Sequence, residues 1–275
     1  MRATIDSESA RTTAGIVAED VCVDLGGRSI LRNVSLEMRR GQWVGLVGPN
    51  GSGKTTLLRT LAGLLPFRGS IRIDDEPLPE VRRRDLAVKL AYIRQSSELA
   101  FDFSVLDLTL LGRTPHRSWL APFDAEDRTA AMEALDSVDL GGFEDRSVLE
   151  LSGGELRRVL LAQGLAQHSS YVLLDEPTAH LDVHHQFGFL DTVHDRVCRG
   201  TAVLSAFHDL ELAARYVDTV IVLDEGRVAA TGPPSAVLSR EVIENVFRMT
   251  ADISRTADGS LAIRYIHRAA ASRNA

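Results

Sequence analysis

Residues 48–56 read GPNGSGKTT, set between the apolar run WVGLVG and the helix-spaced run TTLLRTLAGLL. A strand, a glycine loop and a helix in that order restrict the fold more than any bulk property does. Gly48, Gly53, Lys54 and Thr55 fit G-x-x-x-x-G-K-[ST]. Glycines let a backbone close round a phosphate and turn its N–H groups inward, and the helix start adds a dipole that favours an anion. Lys54 is expected at the β- and γ-phosphates of a nucleotide and Thr55 at Mg²⁺. Pro49, Asn50, Gly51, Ser52 and Thr56 complete the cradle. With this chain's own composition, a chance match anywhere is on the order of one in a thousand. The chain has 31 cationic side chains, of which only Lys54 and Lys89 are lysines, so the amine at position 54 is not a matter of general usage.

The remaining pattern predicts an α/β fold. WVGLVG reads as a parallel strand buried on both faces. Residues 15–42 hold alternating pieces, IVAEDVCVDL and SLEMRR, broken at Gly26 and Gly27, which predicts an antiparallel hairpin region. SIRID and LAYIRQ are further strand candidates. Residues 97–167 carry helical patterns, EDRTAAMEALDSV and GELRRVLLAQGLAQ, and predict a mostly helical sub-lobe. YVLLDEP, TAVLSAFHD and TVIVLDEGRV are β-rich runs separated by helical stretches, as in a doubly wound sheet. Residues 1–14 read as a disordered start, 15–258 as one nucleotide-binding domain, and 259–275 as a tail that frays from about Arg268.

A net charge of -7 and a pI near 5.6 argue against nucleic acid as a partner, because affinity there comes from neutralising phosphates. Cys22 and Cys198 lack metal-ligand spacing and read as reduced thiols. His180, His184 and His185 read as a polar surface stretch rather than a metal site. No signal peptide is expected in the polar N-terminus. No apolar run approaches the roughly eighteen residues a membrane span needs, so a role at a membrane would run through a partner.

YVLLDEP places Asp175 and Glu176 at the end of a buried strand, where an Asp can hold Mg²⁺ and a Glu can polarise water. Between the glycine loop and this strand lies LSGGELRRVLLAQGLAQ, residues 151–167. In that chain order the three segments resemble the ABC ATPase family, from about Val17 to Asp258. Gln95 after a strand, LGRTPH, LDEPTAHLD, FHDL and LDEGRVAATGPPSAVL agree with it in sequence. The resemblance implies a P-loop NTPase (RecA-like) core with an antiparallel β sub-lobe and a helical sub-lobe. It also implies a head-to-tail dimer, in which Leu151, Ser152, Gly153, Gly154 and Glu155 cap the ATP held by the partner. Glu176 would be the general base, His208 would contact the γ-phosphate, Gln95 would reach Mg²⁺ or the water, and Asp182 would communicate across the dimer.

No N-K-x-D stretch supports guanine reading, and no coiled-coil insertion or second cassette points to the clamp or translation branches of the family. FDFSVLDLTLLGRTPHRSWL and GPPSAVLSREVIENVF look like the cassettes of importers for iron-siderophore complexes, haem and cobalamin, with iron-siderophore complexes the first expectation and haem or cobalamin the others. That likeness implies two separate permease subunits seated on the helical sub-lobe, a substrate-binding protein beyond them, and a place at the cytoplasmic face of the plasma membrane. A soluble ABC ATPase serving a cytosolic assembly and an exporter cassette are the alternatives. Three departures stand out. Leu25 occupies the position of the usual adenine-stacking aromatic, with an expected cost of about 1 kcal/mol. GELRRV and Gln163 depart from the family's usual arginine and glutamine pattern, which is expected to alter how the signature helix docks. His180 replaces a small residue.

Overall fold

The computed structural model describes residues 15–94, 101–118, 121–179, 181–256 and 260–268. The expected disordered start, Gln95 and His180 lie outside these. Three sheets organise the chain. β1 (Gly15–Leu25), β2 (Arg28–Arg39), β4 (Arg68–Ile73) and β5 (Glu76–Pro77) form an antiparallel sheet in the order β2-β1-β4-β5. β3 (Trp43–Val47), β6 (Leu90–Ile93), β7 (Tyr171–Asp175), β8 (Ala202–Ala206), β9 (Thr219–Asp224) and β10 (Arg227–Gly232) form the central sheet in the order β10-β9-β3-β8-β7-β6. Its strands are parallel except β10. β11 (Met249–Arg255) and β12 (Leu261–Arg268) make a separate hairpin.

The helices are α1 (Lys54–Leu61), α2 (Arg83–Lys89), α3 (Val105–Leu110), α4 (Ala125–Asp136), α5 (Gly153–Ala166), α6 (Val183–Cys198), α7 (Leu210–Tyr216), α8 (Pro234–Val237) and α9 (Arg240–Phe247). Every residue of β3, β7 and β8 is buried, because each face of the central sheet meets its own core. Trp43 and Val47 face the core that holds α5, α6 and the C-terminal hairpin, whereas Val44 and Leu46 face the core of the antiparallel sheet and α1. That is why these runs read as continuously apolar rather than alternating.

The β1–β2 hairpin turns at Gly26 and Gly27, both at positive φ (56° and 76°), as a right-twisted two-residue turn requires. The second lysine staples the sub-lobe to the core. Lys89 Nζ lies 3.5 Å from Asp74 Oδ2 and 3.6 Å from Glu76 Oε2, and the Tyr171 hydroxyl donates to Asp74 Oδ1.

The β-rich run TVIVLDEGRV holds the whole of one strand and the start of another. The chain reverses at Glu225 and Gly226, at φ 44° and 78°, so β9 and β10 pair antiparallel. The stretch read as a tail after residue 258 carries a strand in its described part, and the fraying expected beyond about Arg268 lies outside the described residues. Leu261–Arg268 pairs with Met249–Arg255, Ala251 and Ile263 are buried, and Ile263 N donates to Glu211 Oε1 at 2.5 Å. Only Ile263 of β12 is buried, so the strand carries almost no apolar alternation.

The helical sub-lobe is built from α3, α4 and α5, as the periodicity predicted. Asp124 caps α4 through a reciprocal box with Asp127. Asp127, 3% exposed, also receives Arg113 Nε at 3.0 Å and Arg117 Nε at 3.1 Å. Arg113 Nη1 donates to the Ala166 carbonyl at the end of α5 at 3.1 Å. Arg113 of LGRTPH is therefore an internal brace between three segments. Removing one partner of a buried pair strands the other, at roughly 3–5 kcal/mol. Asp127→Ala is expected to lower the urea unfolding midpoint accordingly; an unchanged midpoint would mean the pair holds nothing.

Candidate nucleotide-binding and hydrolysis site

The register of the central sheet delivers the site. Leu46 of β3 is level with Ala206 of β8, Ala206 with Asp175 of β7, and Leu174 with Ile93 of β6. The chain therefore leaves four neighbouring strands at one end, through the glycine loop, Phe207–His208, Glu176 and Arg94. A cleft of about 490 Å³ opens there, lined by Ile30, Gly53, Lys54, Thr55, Glu176 and His208 among others.

The loop's glycines are needed for space as well as conformation. A Cβ on Gly48 would sit 2.0 Å from the Leu223 carbonyl oxygen, and one on Gly53, at φ 107°, would sit 2.8 Å from Leu31 Cδ2. Lys54 is only 5% exposed. Its amine turns back to donate to the Gly48 and Pro49 carbonyls, at 2.8 and 3.1 Å. Burial pulls its pKa down, while the charges of Glu176 and Asp175 oppose that shift. Ser52 is buried, and its hydroxyl has no hydrogen-bond partner among the described residues.

Asp175, 3% exposed, is held at both oxygens. Thr55 Oγ1 donates to Oδ1 and the Tyr92 hydroxyl to Oδ2, each at 3.1 Å. Burial raises the Asp175 pKa against those two hydrogen bonds, and raises that of Tyr92 as well. A buried carboxylate with a threonine hydroxyl against it is an oxygen donor set of the kind a hard cation takes. The next residue, Glu176, takes φ 51°, a left-handed conformation that an unbranched acid adopts only when its surroundings hold it. Its Oε1 lies 2.5 Å from His208 Nε2.

The signature segment lies elsewhere. Ser152 caps α5, accepting from Glu155 N at 3.3 Å, while Ser152 N donates to Glu155 Oε2 at 2.8 Å. Ser152 and Gly153 are exposed, and a Cβ on Gly153 or Gly154 would meet nothing within 4 Å. None of Leu151 to Glu155 lines the Lys54 cleft. Asp182 caps α6 by accepting from His185 N at 3.0 Å, and His185 Nδ1 lies 2.8 Å from its carboxylate. Three contributors were missed in the sequence. Tyr92 sits in a strand-like run that gives no hint of a polar partner. Ile30 faces the cleft, while Leu25 is half-buried against the sub-lobe core. Arg157 of α5 donates to backbone carbonyls of Asp175 and Glu176, at 3.4 and 3.1 Å.

The ABC transporter family model matches residues 31–179. A hemin import ATP-binding protein from Rhodococcus jostii is 42% identical over 232 residues, covering 84% of this chain and 78% of that protein. A cobalamin import ATP-binding protein from Halobacterium salinarum is 40% identical over 228 residues, covering 82% of this chain and 56% of that protein. The chain belongs to the ABC transporter family. The dimeric structure of a bacterial ABC transporter cassette aligns with a TM-score of 0.71 at 25% identity, covering 80% of this chain and 98% of that cassette. As a cassette of this family the chain is an ATP-hydrolysing enzyme.

Lys54 supplies the cleft's buried cation. Lys54→Ala is expected to remove ATP binding, at least a hundredfold by fluorescent-nucleotide titration, with the folded state retained. Undiminished affinity would remove the phosphate role from this loop.

Proposed function

We propose that the chain is the ATP-hydrolysing subunit of an importer for a metal-chelate cargo, haem first, with cobalamin and iron-siderophore complexes in the same class. Its likeness to hemin import ATP-binding proteins over 84% of its length carries the cargo reading. Among the described residues no helix is long and apolar enough to cross a membrane, so the pathway would belong to separate permease subunits. A groove of about 290 Å³ lined by Arg94, Leu111, Thr114, Pro115, Leu160 and Gln163 offers their seat. It lies between the end of β6, just before Gln95, and the helical sub-lobe. The cassette would then sit peripherally at the cytoplasmic face, two permease subunits above two copies of this chain, with a substrate-binding protein beyond.

The separation of the Lys54 cleft from the Ser152 corner supports a head-to-tail dimer. Each cleft holds a nucleotide from one side only, and α5 of a second copy presents exposed glycine N–H groups that can close the other. Arriving phosphate would draw Lys54 Nζ off the Gly48 and Pro49 carbonyls. Thr55 and Asp175, with Gln95, would hold Mg²⁺, which neutralises charge developing between the phosphates. Glu176 Oε1 would take the proton of the attacking water, and His208 Nε2 keeps that carboxylate in place and faces the γ-phosphate. Asp182, exposed at the start of α6, would meet the partner copy.

Glu176→Gln is expected to bind ATP, form a stable dimer by light scattering and turn over at least a hundredfold more slowly. Normal turnover would assign the base to another group. Adding Ser152→Arg is expected to abolish that dimer while each chain keeps its ATP affinity; a persisting dimer would sink the in-trans site. Tagged Glu176→Gln recovered with ATP from detergent-solubilised membranes should bring a multi-span permease with it. Recovery with soluble proteins alone would leave the ATPase standing and refute the importer reading.

A further inference from the structure

Arg157 is the buried charge of the signature helix, 6% exposed, and it donates to three backbone carbonyl oxygens. Nη1 donates to Arg94 O, and Nη2 to Glu176 O at 3.1 Å and Asp175 O at 3.4 Å. Arg94 follows β6 directly and precedes Gln95; Asp175 ends β7 and Glu176 begins the turn beyond it. One planar guanidinium thus bridges α5 to the ends of two neighbouring strands. The Glu176 peptide it grips is the one at φ 51°, and such a conformation persists only where the surroundings over-determine it. A guanidinium spans several acceptors in a fixed plane, which a compact ammonium cannot do.

We propose that Arg157 is a positioning residue for hydrolysis: it holds the Glu176 peptide in its left-handed turn, so that Glu176 Oε1 meets the attacking water, and it ties that turn to the signature helix. This rests on Glu176 being the general base. Arg157 does not line the Lys54 cleft and would act through the backbone of the residue that does the chemistry. α5 therefore carries a polar contact for each of two sites, Ser152 at its exposed start and Arg157 five residues on. In the proposed dimer, a shift of α5 that releases the partner's nucleotide also withdraws the support from the chain's own Glu176.

The test uses full-length protein, with ATP turnover, fluorescent-ATP affinity and the thermal unfolding midpoint measured on the same preparations. Arg157→Gln is expected to lower kcat at least tenfold, with nucleotide affinity within twofold of the parent. Arg157→Lys keeps a buried cation and covers the case in which Arg157→Gln folds poorly; it is expected to keep the midpoint within a few degrees and still lose kcat severalfold. Full activity in Arg157→Lys overturns the requirement for the fork. Parallel losses of kcat, affinity and midpoint in both variants overturn positioning in favour of a purely structural role. Glu176→Gln runs alongside. If it turns over normally, the general-base reading fails; if it stalls while both Arg157 variants turn over normally, only the present inference fails.

Discussion

A parallel sheet that is apolar on both faces leaves polar chemistry a single outlet, the ends of its strands. β3, β7 and β8 are buried at every residue, and their two hydroxyls are both partnered: Ser205 accepts from Trp43 Nε1 at 2.9 Å and Tyr171 donates to Asp74. Every group proposed for catalysis therefore lies at or beyond a strand's carboxyl end, where crevices of open α/β sheets bind ligands. The pairing of Leu46, Ala206 and Asp175 across three strands brings the glycine loop, His208 and Glu176 together without any long-range loop design.

The cleft is electrostatically poised rather than neutral. Lys54 is desolvated, and its direct partners are two carbonyl oxygens of its own loop. Those contacts are weaker than a charge-assisted bond to phosphate, so an anion can displace them. Across the cleft, Asp175 and Glu176 oppose the loss of charge on Lys54, while burial works against ionised Asp175. In the proposed binding mode a triphosphate with its divalent cation would relieve both, because it would bring negative charge to the amine and positive charge to the carboxylate.

The glycine loop, Asp175, Glu176 and the signature were legible because each motif fixes a backbone shape and a side-chain type at a set spacing. The strands around them were legible because burial on both faces erases alternation. What stayed hidden depends on partners far along the chain. Nothing in LAYIRQ shows that Tyr92 reaches Asp175, and nothing in GELRRV shows that its first arginine turns inward while Arg158 is only partly covered. Arg113 read as part of a family mark, yet its role in the fold is set by Asp127, which doubles as a helix-capping residue. β12 escaped because a strand that pairs on one edge and buries a single isoleucine leaves too little pattern. Turn chemistry at Glu225 and Gly226 was present in the letters, but the apolar run on either side masked it.

The packing of α5 bears on how its two ends can act together. A Cβ on Gly164 would lie 2.3 Å from Ile93 Cδ1, and one on Gly112 would lie 2.0 Å from the Gln163 carbonyl oxygen. Backbone thus meets backbone or a core side chain with no room for an intervening methyl. A helix seated this tightly moves as a rigid piece with its neighbours rather than bending within them. β6 leads to Arg94, just before Gln95, and Leu111, Gly112, Thr114 and Pro115 line the proposed permease seat. A push on that seat therefore reaches Ser152 and Arg157 through the same body. Under the proposed dimer, this places permease contact, closure over the partner's nucleotide and support of Glu176 on one helix, so that none of the three can change independently of the others.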